Sequence, residues 1–215
     1  MKIIIDGQDD LLQVQANFKI AGFANQLDAT LYSSGRVIQK IELDENECQL
    51  EELEDKLQVS KNQASNLSIE TAPLKDHLTQ SLVAMEKGMD ELEEQAIEIS
   101  DQMLREGQLG MSELAVWAGD LGQMANNIKQ FIQMFQIDES QLKIGSLSFE
   151  QGMQKLMSFT SAIIGSLQQE KKMAISDLLQ FEISTLITDL KTLFPILIKE
   201  LDTKLGQDKS WQGIR

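Results

Sequence analysis

From Pro73 onward the apolar positions fall into long alternations of three and four. Leu78, Leu82, Met85, Met89, Leu92, Ala96, Ile99 and Met103 are spaced 4, 3, 4, 3, 4, 3 and 4, the seam of a helix that packs along its whole length. Pro73 fits the first turn of that helix, where a missing N–H costs nothing, and Gly107-Gln108-Leu109-Gly110 ends it. Met111, Leu114, Ala118, Leu121, Ala125, Ile128, Ile132 and Phe135 form a second seam of matching length. Together they predict an antiparallel helical hairpin over residues 73–137. Trp117, Met124 and Phe131 lie one position before a seam residue and recur every seven. They widen the apolar face beyond what one partner helix covers, so a third surface must pack there, from this chain or from another.

A second helical hairpin is predicted over 138–215. Ser148-Phe149-Glu150-Gln151 has the form of a capping box, and Phe149, Met153, Leu156, Thr160, Ile163 and Leu167 continue as a seam. Leu179, Ile183, Leu186, Leu190, Leu193 and Leu197 give the next. The two registers do not join through Gln168-Gln169-Glu170-Lys171-Lys172. The spacing therefore predicts a turn near Met173 to Ser176, with a stuttered continuous helix as the alternative, and Pro195 should kink the last helix.

The first 72 residues switch between periods of two and 3.6. Ile3-Ile4-Ile5, the turn residues Asp6-Gly7 and Asp9-Asp10, and the alternating Leu12-Gln13-Val14-Gln15 predict a hairpin. A helix follows from Asn17, with Ile20, Ala24, Leu27 and Leu31 on one face, closed by Ser33-Ser34-Gly35. Arg36 to Leu43 alternates as a strand with one wet face. Glu47 to Val59 reads as a short acidic helix with the stripe Leu50, Leu53 and Leu57, and Leu67 to Thr71 as a final strand stopped by Pro73. This order of elements resembles that of a β-grasp, or ubiquitin-like, module. The expected fold class is thus α+β, a β-grasp-like head at 1–72 followed by two long helical hairpins at 73–137 and 138–215.

Charge narrows the choice of partners. The 215 residues hold 19 Lys and Arg against 34 Asp and Glu, a net charge of −15, which opposes nucleic acid and anionic membrane surfaces. Residues 42–106 alone contain 18 Asp/Glu and 5 Lys/Arg. The most apolar stretch, Leu178 to Leu201, is interrupted by Glu182, Asp189, Lys191, Lys199 and Glu200, which excludes a comfortable membrane span. Met1 to Gly7 is too short in apolar residues for a signal peptide.

The carriers of chemistry are few. Cys48, His77 and Tyr32 are each the only residue of their kind. An intrachain disulfide is impossible, as suits a reducing compartment. A bundle metal site needs paired Glu-x-x-His motifs, and Leu74 occupies that offset before His77. Asp6-Gly7-Gln8-Asp9-Asp10 lacks the ligand spacing of a calcium loop, and the Gly107/Gly110 and Gly119/Gly122 pairs follow no strand, so no phosphate-binding loop is present. No cofactor and no catalytic residue is therefore expected. Ala115, Ala118, Gly119, Gly122 and Ala125 would allow a close helix crossing, and the 10 Met residues suit adaptable core packing.

These patterns point to a non-enzymatic, cytoplasmic adaptor or assembly factor of bacterial type, binding other proteins or a second copy of itself through helical surfaces. Trp117, Met124 and Phe131 would be its apolar anchors, and Glu51, Glu52 and Asp55 on the acidic helix its electrostatic guide. A chaperone or regulator of a secretion or flagellar apparatus is the alternative. An enzyme using Asp/Glu pairs on the bundle is a more distant one.

Overall fold

The computed structural model describes residues 2–8, 20–59, 66–106, 110–168 and 172–205. The chain divides into two compact units, Met1–Leu78 with Leu205–Arg215, and Thr79–Lys204. It is a mixed α+β chain, with a small N-terminal sheet and mostly helix thereafter.

In the first unit, β1 (Lys2–Ile5), α1 (Phe23–Ser33), β2 (Arg36–Leu43), β3 (Asn46–Glu47), α2 (Leu50–Val59) and β4 (Asn66–Pro73) follow in order. The sheet order is β1-β4-β2-β3, with β1 parallel to β4 and β2 antiparallel to both of its neighbours. Ile3 and Ile5 from β1, Ile41 and Leu43 from β2 and Leu67 and Ile69 from β4 face one core. Phe23, Leu27 and Leu31 of α1 and Leu53 and Leu57 of α2 complete it. The alternation of apolar residues along each strand and the 3–4 spacing along each helix select these faces.

Asp6 ties the strands together at their ends. Its Oδ1 accepts from the Thr71 backbone N–H at 2.8 Å, and its Oδ2 accepts from the Thr71 hydroxyl at 2.7 Å and from Arg36 Nη2 at 3.0 Å. The Asp6-Gly7 turn forms as expected, returning the chain to an Ile5–Gln8 bridge. The second strand of the expected hairpin and the start of the helix at Asn17 lie outside the described residues, and α1 is described from Phe23. Gly35 follows α1 in the left-handed region, φ 77°, and its carbonyl accepts from Leu74 N–H at 2.8 Å.

The acidic helix is shorter than its charge pattern suggests. Asp44 and Glu45 both take positive φ, 49° and 66°, making a two-residue turn that folds Asn46 and Glu47 back onto β2. Such turns usually contain glycine, and without one the chain reads as the beginning of α2.

In the second unit, α3 (Leu74–Glu106, its first turn counted with the first unit), α4 (Gly110–Met134), α5 (Phe149–Gln168), α6 (Lys172–Asp177), α7 (Ser184–Lys191) and α8 (Leu193–Leu205) supply the mass. A small hairpin of β5 (Lys143–Ile144) and β6 (Leu147–Ser148) precedes α5. The capping box forms in both directions. Gln151 N–H donates to Ser148 Oγ at 3.2 Å, and Ser148 N–H donates to Gln151 Oε1 at 3.1 Å. Gly145 in the hairpin turn has φ 59°, and a side chain there would strike the Asp189 carboxylate.

The turn expected near Met173 to Ser176 does not fall on those residues, and 169–171 just before them lie outside the described residues. Met173 to Ser176 are helical, and Ile175 and Ser176 are buried. A π-helical segment, Leu178–Ile183, joins α6 to α7, and Ile175, Leu179 and Ile183 are buried along this stretch. The last helix breaks at Thr192 and restarts as α8, with Pro195 in the first turn of the new helix, where its missing donor is harmless. No helix among the described residues is long and apolar enough to cross a membrane.

Candidate interaction surface

Helix α3 carries three kinds of contact on its circumference. On its buried seam, Leu82, Met89, Leu92, Ala96, Ile99 and Met103 are almost inaccessible. Trp117 of α4 donates its indole Nε1–H to the Leu92 carbonyl at 2.8 Å. Gly88 lies so close to Met124 that an added Cβ would fall 2.8 Å from its Cε. The small residue that permits close approach is therefore Gly88 on α3. Gly119 and Gly122 on α4 face open space, so these two glycines of the small-residue run make no close crossing, while Ala125 beside Met124 is buried.

A polar row on α3 meets the α6–α7 stretch. Ser100 and Ser176 hydroxyls lie 2.6 Å apart in a fully buried pair. Gln180 Nε2 donates to Asp101 Oδ1 at 3.3 Å. Glu93 Oε1 accepts from Ser184 Oγ at 2.7 Å and Thr188 Oγ1 at 3.2 Å. Lys191 pairs with Asp90, and with Glu93 Oε2 at 3.5 Å; its hydrogen bond to Asp90, joined by the attraction of both carboxylates, holds the ammonium pKa above its ordinary 10.5. Apolar periodicity does not reveal this row. Glu93 and Ser100 nonetheless follow the seam residues Leu92 and Ile99 and stand seven apart, a spacing that places both on one line of the helix.

The third kind is exposed and apolar. Val83, Ile97 and Leu104 follow Leu82, Ala96 and Met103 on the same helix, with Asp90 filling the heptad position between the first two. They are 51%, 44% and 53% accessible.

On another side of α3, a groove of about 410 Å³ runs between α3 and α4. It is walled by Gln95, Glu98, Ile99 and Gln102 on one side and Ser112, Glu113, Val116, Trp117 and Asp120 on the other. Val116 is 65% accessible there. Gln102 donates Nε2 to Glu98 Oε1 at 3.4 Å, while its buried Oε1 has no partner.

The anchors expected from the sequence are mostly covered by the chain itself. Trp117 is 2% and Phe131 6% accessible, and Met124 is half-buried. Phe131 lies against Phe135 with ring centroids 4.7 Å apart. The third surface required by the wide α4 face is thus supplied from within. On that side α5 packs against both α4 and α6.

On α2, Glu51, Glu52 and Asp55 are exposed. Glu52 pairs with Lys56 at 2.8 Å, and this hydrogen bond holds its carboxyl below the ordinary carboxylate range. Cys48 is buried at the base of a smaller depression of about 230 Å³ that Glu51 also lines. Burial pushes its thiol up, away from the thiolate that a nucleophile needs. His77 is exposed in the first turn of α3. Among the described residues no three His, Cys, Asp or Glu side chains group as a metal site. No family model, no curated protein and no solved structure matches the chain.

Proposed function

We propose that this chain is a non-enzymatic protein-interaction factor of the adaptor or assembly type, acting in the cytoplasm through its helical unit. The observation that carries the reading is the heptad-spaced apolar stripe Val83, Ile97 and Leu104, which stays exposed although the seam of the same helix is satisfied. Apolar side chains repeated at that spacing present the face to which another helix packs. The covered anchors Trp117, Met124 and Phe131 take the role of props, holding α4 in place so that α3 can offer its outer face. Glu51, Glu52 and Asp55 remain an exposed acidic row that attracts a basic partner at a distance.

Two finer structural readings belong to this proposal. The paired contacts Leu92–Trp117 and Gly88–Met124 descend along α3 as they ascend along α4, which supports an antiparallel hairpin. A parallel β1–β4 pair beside an antiparallel β4–β2 pair, with α1 between β1 and β2 in sequence, supports the β-grasp reading of the head.

The test is the triple variant Val83→Ser, Ile97→Ser, Leu104→Ser. Light scattering and affinity capture from the native host should show self-association or partner capture reduced at least tenfold, with far-UV circular dichroism unchanged. Undiminished association would refute the stripe as the binding face.

A further inference from the structure

We propose that the groove between α3 and α4 is a docking site for a short basic amphipathic helix, one that carries Lys or Arg along one edge and aliphatic side chains along the other. The inference rests on the chain being a protein binder, but it uses a different face from the Val83–Leu104 stripe, so the two can fail separately.

The floor and the rim ask for different things, and one kind of ligand offers both. Val116 stands largely exposed in the groove with the buried Trp117 beside it, so the floor gains from apolar cover. Around it stand Glu98 from α3 and Glu113 and Asp120 from α4, all exposed and none in an ion pair among the described residues. Among the described residues no Lys, Arg or His lines the groove. Gln102 adds a buried carbonyl oxygen without a donor, its amide N–H already given to Glu98. The groove therefore offers an apolar floor rimmed by carboxylates, and ammonium or guanidinium groups answer that charge.

Shape separates a peptide from an ion. The carboxylates do not converge, since no metal-holding group exists among the described residues. They are spread instead along a groove that runs from Gln95 to Gln102 on α3 and from Ser112 to Asp120 on α4, roughly 10–12 Å at about 1.5 Å per residue. That length suits about two turns of a third helix laid along the pair. At Gly119, next to the groove on α4, an added Cβ would meet nothing within 4 Å, so a partner backbone has room to come near.

The experiment uses the full chain with Trp211→Phe, leaving Trp117 as the sole indole. It is titrated with a 14-residue helix-forming peptide of Lys and Leu at amphipathic spacing, followed by Trp117 emission and calorimetry. Saturable 1:1 binding is expected. Glu98→Gln, Glu113→Gln and Asp120→Asn together should weaken it at least tenfold, and Val116→Ser alone at least threefold, with far-UV spectra preserved because all four residues are exposed. Glu51→Gln, Glu52→Gln and Asp55→Asn together remove the same number of charges from the first unit and should leave binding within twofold. Equal weakening by the two triple variants would reduce the effect to attraction by net charge and overturn the site. Spermine binding as tightly as the peptide would mark a small-polyamine site and overturn the helix. Absence of saturable binding overturns it outright.

Discussion

Toward α4, helix α3 is held mainly by its buried apolar seam, with Gly88 close against Met124, Ile99 lining the groove and the Leu92 carbonyl accepting the Trp117 indole N–H. Toward α6 and α7 it is held by a ladder of hydroxyls, amides and charges from Ser100–Ser176 to Lys191–Asp90. An apolar seam supplies most of the free energy of helix pairing, but a shift by one heptad presents nearly the same surface again. A polar row cannot be shifted without leaving donors and acceptors stranded. The two sides of one helix thus divide the work, α4 contributing stability and the α6–α7 stretch fixing position.

That division can be broken where it should matter most. Leu114→Ala removes a fully buried side chain from the α4 side and should cost about 2–5 kcal/mol in urea denaturation. On the polar side, Ser100→Ala or Ser176→Ala alone should cost about 1–2 kcal/mol, because each strands the other hydroxyl, while the double variant should cost clearly less than the sum. Additive losses would show that the two serines do not act as a pair, and a Leu114→Ala cost below that of the serines would reverse the assignment of the two sides.

The smallest effect concerns Lys191, about a quarter exposed. Its folded pKa lies above the ordinary 10.5 because Asp90 and Glu93 hold the ammonium. The stabilisation is fully present below the ordinary value and lost as pH rises through the raised one. Asp90→Asn should therefore lower stability by about 0.5 kcal/mol or less at pH 9, with the gap to the parent chain closing in more alkaline solution. A gap that widens with pH would contradict the pairing.

Much of the molecule was legible because its core repeats. The seam of α3, the limits of β2 at Arg36 and Leu43, the left-handed Gly35 and the Ser148–Gln151 capping box all follow from local spacing and local chemistry. What escaped depends on partners distant in sequence. Trp117 and Phe131 repeat as a binding face would, yet spacing alone cannot say that the chain itself covers them. The Asp44-Glu45 turn lacks the glycine that announces such turns, and nothing in the local spacing announces the π segment at Leu178–Ile183. The groove was out of reach for the same reason: Gln102 and Val116 are unremarkable on their own helices and acquire meaning only when α3 and α4 lie side by side.

The most direct measurement is collisional quenching of Trp117 emission by iodide and acrylamide, in the Trp211→Phe background and across a dilution series that ends in single chains. With the indole sealed by its own fold and bonded to Leu92, emission should be blue-shifted and quenching slow at every concentration. Quenching that is fast in dilute solution and slows only as chains associate would mean that a second molecule covers the wide face of α4, and the inner props and the outer stripe would have to exchange roles.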